Sequence, residues 1–180
     1  MASDYYVLLD GVNGESQAVG MTNYIELDSF SFGASNPADV GGKGLSAGKA
    51  SLSDFSFTCG LDSASYQILK NLYNGMHIPK ATFAGRKTGG GGTPYLYLQV
   101  VMTNCYITSH GTGGGSSGVP SQSVSFAYEQ IEYQYYTQDT SSGAVTLAGA
   151  ATYNIGAVQQ KLERHPVSAR VVRGWRGALP

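Results

Sequence analysis

Three histidines, two cysteines and twelve carboxylates carry whatever acid–base, nucleophilic or metal chemistry this chain has. They do not assemble. His77 sits where a helix should end, and a contact with the helix C-terminus or a backbone bond is its expected job. His110 lies in a strand-like run, and His165 in a strongly basic terminal stretch. Cys59 and Cys105 fall on separate predicted strands, where small, reduced, buried thiols are the expected state. They lack the paired ligand spacing of a metal site. No Gly-x-Ser-x-Gly elbow is present. The carboxylates are scattered, without the facing pair that glycoside hydrolysis requires.

The glycine-rich loops raise phosphate binding, which needs Gly, four residues, then Gly-Lys-Ser/Thr opening a helix. Around Gly48-Lys49 the first position is Lys43, the residue after Lys49 is Ala50, and a strand follows. "GTGGGSSG" has no lysine and no helix behind it. These glycines read as hairpin corners. No catalytic, metal-binding or cofactor-binding residue is assigned, no cofactor is expected, and the chain reads as a non-enzyme.

The elements that would have to position a site are strands. Of 180 residues, 42% are hydrophobic and 13% charged, with 25 glycines and 13 tyrosines. Charge is about half the usual quarter. Low charge with many tyrosines, serines and threonines suits a pleated, half-buried surface and leaves little to keep copies apart. "NYIELDSFSFGAS" alternates as one strand, with Ile25 and Leu27 opposite Glu26 and Asp28, and Phe30 and Phe32 opposite Ser31. "ASLSDFSFTCG" puts Phe55, Phe57 and Cys59 on the core side. In "YLYLQVVMTNCYIT" Leu96, Leu98, Val100 and Met102 form one set; Tyr95, Tyr97, Val101, Cys105 and Ile107 form the other. Both sets are largely apolar, which predicts a central strand covered on two faces. In "SVSFAYEQIEYQYYTQD" the apolar set switches after Tyr128, predicting a bulge near Glu129.

One helix interrupts this pattern. Ser65, Ile68, Leu69, Leu72 and Tyr73 recur at helical spacing, Asp62 or Ser63 can cap the start, and Gly75 can end it. Residues 34–49 read as a long loop of small residues, a length that usually marks function. The predicted fold is mainly β: a two-sheet antiparallel barrel or sandwich with one short α-helix.

Residues 1–160 carry six Lys/Arg against eleven Asp/Glu, and the last twenty carry five against one. An acidic body argues against nucleic acid as the main partner, although a basic tail could bind it. "KLE" at the junction reads as a cloning scar, so residues 161–180 are set apart as a non-native or vector-derived tail, and 1–160 as the folded domain. No run reaches the roughly 18 apolar residues that cross a bilayer, so membrane insertion is not expected. The first residues do not resemble a signal peptide, which predicts export without the Sec route.

Taken together, "DGVNGES", "SFSFGAS", "GKASLSDFSFTCGLDSAS", "NGMHIPKATFAGRKTGGG" and "GGSSGVPSQSVSFAYEQIEYQY" resemble the haemolysin-coregulated protein (Hcp) family, the tube protein of the bacterial type VI secretion system. The likeness runs in order from about residue 3 to 160, and "GMHIPKA" and the glycine loop before the last long strand are its most telling parts. Where relatives often carry tryptophans around the serine of the second strand, this chain has Phe30 and Phe32. The resemblance implies a six-membered ring that stacks into a tube, made in the bacterial cytoplasm and secreted behind a spike by a contractile sheath. It also implies that small effector proteins ride in the lumen. Ser31 maps onto a lumen-facing cargo contact, although from the residues alone it reads as an ordinary solvent-facing serine. The 34–49 segment is where ring should meet ring, with Asn36, Asp39 and Lys43 as its polar reach. The alternative from another class is a monomeric β-sandwich carbohydrate binder using Tyr133, Tyr135 and Tyr136.

Overall fold

The structure is a computed structural model that describes residues 3–39, 46–88, 93–116, 118–139 and 141–157, with 38–39 and 46–47 as backbone alone. In chain order the elements are β1 (Ser3–Leu9), β2 (Ile25–Leu27), β3 (Ser29–Ser31), β4 (Ala34–Ser35), β5 (Ala38–Asp39), β6 (Ser46–Ala47), β7 (Ser51–Leu52), β8 (Phe55–Gly60), α1 (Ala64–Asn74), β9 (Ile78–Thr88), β10 (Pro94–Gly113), β11 (Ser121–Gln138) and β12 (Val145–Asn154). Lys43 and the tail at 161–180 lie outside the described residues.

One eight-stranded antiparallel sheet runs β2-β1-β9-β10-β11-β8-β3, with β12 added to the far half of β11. The alternating run "NYIELDSFSFGAS", which reads as one strand, breaks in two. β2 pairs with β1 and β3 with β8, so the two ends of the sheet are consecutive in the chain, joined at Asp28. The Asp28 N–H bonds the Thr58 carbonyl at 2.8 Å. The sheet thereby curls into a nearly closed barrel.

Alternation builds the core. Phe55, Phe57, Phe83 and Phe126 are fully buried, together with Leu9, Ile25, Ile78 and Met102. Ring centroids lie 5.2 Å apart for Phe55–Phe126, 5.5 Å for Phe55–Phe83 and 4.4 Å for Phe30–Phe83. Each such ring contributes about 1.5–3 kcal/mol by burial, and each pair roughly 0.5–1.5 more.

The helix is capped as its sequence predicts. The Asp62 carboxylate accepts the Ala64 N–H at 3.0 Å, the Asp62 N–H donates to Ser65 Oγ at 3.0 Å, and Gly75 ends the helix at φ 58°. Its buried face is narrower than the spacing suggested: Ala64 and Ile68 are buried and Leu72 packs beside the core, but Tyr73 is 77% exposed.

The two long strands change face at one point. Leu98, Val100 and Met102 point into the core, and then so do Cys105 and Ile107. The change occurs at Asn104, whose φ of 55° is left-handed. Opposite it, burial on β11 switches from Tyr128 to Ile131, while the register stays constant from Leu98↔Tyr135 to Ile107↔Phe126. Cys105 and Ile107 therefore join Met102 instead of lining a second apolar face. The predicted bulge near Glu129 is a matched turn-over of both strands; the register shift itself falls between Ile107 and Ser109.

The described parts of the segment, residues 34–39 and 46–52, are not irregular loop. β4 pairs with β7 and β5 with β6, making a two-stranded arm outside the main sheet. Gly48 closes it: its N–H bonds the Pro37 carbonyl at 2.8 Å, and a Cβ there would lie 2.7 Å from that oxygen.

Candidate functional site

The potential chemistry resolves into structural contacts. Cys59 and Cys105 are both buried and free. Burial pushes the Cys59 thiol up to about 11 and the Cys105 thiol up to about 12, away from reactive thiolate. The buried Gln122 amide donates to Cys59 Sγ and to the Gly60 carbonyl, both at 3.3 Å, while its oxygen meets His110 Nε2 at 2.9 Å. A cysteine and a histidine thus share one glutamine, a link that no sequence spacing signalled. His77 does not serve the helix end. Its Nε2 meets Asn104 Oδ1 at 3.2 Å, and Asn104 Nδ2 donates to Glu129 at 2.5 Å. Among the described residues no group of three His, Cys, Asp or Glu side chains could hold a metal ion. The Gly48 N–H is already bonded within the arm, so it is not offered to a phosphate.

The three tyrosines of the carbohydrate-binding alternative do not form a platform. Tyr133 and Tyr135 are exposed, but Tyr136 falls at the opposite parity of β11 and its hydroxyl bonds Gln99 and Gln134 at 3.3 and 2.8 Å.

Ser31 sits in a surface that the sequence does not announce as a unit. It is exposed on β3, with the rings of Phe30 and Phe32 stacked 6.2 Å apart on the other side. Cross-strand register sets it in a row with Ser56 on β8, Ser125 on β11 and Ser109 on β10. A second row runs Ser29, Thr58, Ser123, Gly111, and a third Gly60, Ser121, Gly113. The hydroxyls bond one another: Ser56 Oγ to Ser125 Oγ at 2.9 Å and Ser29 Oγ to Thr58 Oγ1 at 2.6 Å. The cause is local and repeated. "SFSF", "FSFT" and "SVSF" alternate a core side chain with a small hydroxyl, and pairing brings equal parities together. None of the positions in these rows is charged.

The arm is fixed at its base. Ser53 exchanges bonds with Gly33, N–H to carbonyl at 2.9 Å and Gly33 N–H to Ser53 Oγ at 2.8 Å. The Tyr128 hydroxyl donates to the Ser53 carbonyl at 3.0 Å and the Tyr153 hydroxyl to the Ala50 carbonyl at 3.1 Å. Asn36 is exposed between β4 and β5, and Asp39 ends β5 opposite Ser46. Ser31 and the arm are thus separate surfaces, one on the barrel wall and one projecting from it.

Known proteins share the family signature and the fold of this chain. The family described as "Type VI secretion system effector, Hcp" matches residues 6–135. Protein hcp1 of Pseudomonas aeruginosa is 29% identical over 140 residues, covering 77% of this chain and 86% of its own. A solved type six secretion system protein superposes with a TM-score of 0.80 at 26% identity, over 87% of this chain and 98% of that one. Hcp1 from Salmonella typhimurium superposes at 0.69 and 26% identity, over 87% and 97%. The chain therefore belongs to the Hcp family of the type VI secretion system, and it is a component of that system's tube.

Proposed function

We propose that this protein works by assembly and not by catalysis: six copies form a ring, rings stack into a tube, and the hydroxyl face around Ser31 lines the lumen. The observation that carries this reading is the uncharged, small-residue wall described above. A lumen that passes proteins of differing charge needs a surface without fixed charge or protruding side chains, because a buried unpaired charge on either side is costly. Hydroxyls already bonded to one another offer only weak, replaceable contacts. Small effector proteins are the cargo, held there on their way out through the secretion apparatus with its spike and sheath. The arm is the ring-on-ring contact, with Asn36, Asp39 and Lys43 as its polar residues. A contact that repeats without closing builds a filament.

Solution mass by light scattering, with negatively stained particles beside it, tests the ring. Six-membered rings are expected, and a lone protomer at high concentration overturns the reading. Replacing Asp39 and Lys43 together should weaken stacking and leave single rings intact; loss of the rings themselves would place the arm elsewhere.

A further inference from the structure

We propose that a cleft at the margin of the hydroxyl wall, formed by the Glu129 carboxylate and the Tyr106 ring, takes an arginine or lysine side chain of a protein carried along that wall. The proposal rests on the tube reading and names the chemistry of the cargo it favours. The outward parity of β11 reads Ser121, Ser123, Ser125, Ala127 and Glu129, so the uncharged face runs unbroken into a carboxylate. Register places Tyr106 of β10 directly beside Ala127. An uncharged wall treats chains of any charge alike, and one fixed charge at its edge discriminates among them.

The cleft is about 330 Å³, with Asn104, Tyr106, Glu129, Ile155 and Gly156 among its walls. Two departures of the backbone converge on Glu129. Asn104, left-handed at φ 55°, directs its amide there: Nδ2 donates to Glu129 Oε2 at 2.5 Å, and Oδ1 meets His77 Nε2 at 3.2 Å. From the other side the chain passes so close that a side-chain carbon at Gly156 would collide with Glu129 Oε1. Backbone held outside its preferred regions has to be compensated elsewhere, and such positions concentrate where a group must be aimed. The donor to Glu129 is a neutral amide, so the negative charge is oriented and not cancelled by it.

Tyr106 supplies the second element. Its ring is 48% exposed, and the His77 ring tilts against it with centroids 5.3 Å apart and 54° between planes. A carboxylate beside an exposed aromatic ring attracts a cation both by charge and through the ring quadrupole. A guanidinium suits the pair best, since its plane can stack on the ring while its N–H groups reach the carboxylate. The aliphatic stem of arginine or lysine then lies along Ile155.

Fluorescence anisotropy of the full chain, assembled as rings, tests the cleft. The probes are a labelled Gly-Ser peptide holding arginines and the same peptide with citrulline in their place. The arginine peptide should bind about tenfold more tightly. Glu129→Gln keeps an acceptor for Asn104 and removes the charge, so it should make the two affinities equal at an unchanged melting temperature. Gly156→Ala keeps the charge and displaces the carboxylate; it should reduce the preference for arginine, and an undiminished preference overturns the positioned site. Tyr106→Leu should weaken the arginine peptide about threefold. Asp4→Asn, on β1 and separated from β11 by β9 and β10, is the control. If it costs as much as Glu129→Gln, the peptide answers to the acidic body as a whole and the cleft is overturned. Equal affinity of both peptides for rings of the unaltered chain also overturns the cleft and leaves the tube reading standing. A chain that discriminates between them yet never forms rings overturns the tube reading and keeps the cation site. Binding that emerges only when Lys161, Arg164, Arg170, Arg173 and Arg176 are replaced by glutamine would make the chain's own tail the occupant, which overturns cargo as the ligand.

Discussion

The barrel and the β12–arm side are built from the same strand alphabet, yet they solve opposite problems. In the barrel at least one face of each strand disappears: β8 alternates, buried at Phe55, Phe57 and Cys59, and β9 keeps five consecutive residues from Ala81 to Gly85 out of solvent. In β12 the same period-two geometry buries no residue fully, although Val145, Leu147 and several alanines are apolar enough to be inside. The difference is partners and not propensity. Barrel residues meet phenylalanines across the interior, whereas β12, among the described residues, pairs with β11 alone. One region is covered by its own chain, and the other, among the described residues, is not.

Substitutions at three positions would break or sharpen this contrast. The largest effect belongs to Phe55→Ala, which removes a ring touching Phe30, Phe32, Phe83 and Phe126. Chemical denaturation should show a loss of about 3–5 kcal/mol, enough to unfold many domains of this size; a loss under 1 kcal/mol would mean the barrel is not held by that cluster. Next comes Asn104, at φ 55°. Asn104→Val should cost about 1–3 kcal/mol, because a β-branched side chain resists the left-handed region, and Asn104→Gly much less. Equal costs for the two would show that the bonds to His77 and Glu129 matter more than the backbone. The smallest belongs to Leu147→Ala on β12, 53% exposed. It should change protomer stability by no more than about 0.5 kcal/mol in the same denaturation assay, as surface changes usually do.

Alkaline titration reads the barrel alone. The Cys59 and Cys105 thiols are raised by burial to about 11 and 12, above their values in the unfolded chain. The folded state therefore keeps protons that the unfolded state releases. The stability this gives is fully present below the unfolded thiol values and falls as pH rises through the folded ones. Melting temperature should drop across that window, and Cys105→Ala should flatten the drop.

Much of the barrel was legible in the sequence because side-chain parity is a strong constraint. "SFSF" and "FSFTC" located Ser31 on the outside and Phe55 inside without any structure, and Asp62 and Gly75 marked the helix ends. What failed was where the backbone departs from the ideal. Asn104 turns the strand over, so Cys105 and Ile107 were assigned the wrong face; nothing in an asparagine's identity says which one will adopt a positive φ. Asp28 splits a run that alternates perfectly, since the split serves a distant partner, Thr58. The 34–49 segment looked like loop because glycine, proline and alanine weaken strand propensity, yet its strands pair with each other. Of the candidate site, the exposure of Ser31 could be read directly. Its row-mates Ser56, Ser125 and Ser109 could not, because they are brought together by register across strands far apart in the chain.

The covalent link at Asp28 has a mechanical corollary. A sheet whose first and last strands are one continuous stretch of polypeptide has no terminal zipper tooth at that junction. Force applied across the junction must strain main-chain bonds or shear several hydrogen bonds at once, instead of opening them singly. For a component of a secretion tube, such a hoop gives stiffness without a single crosslink.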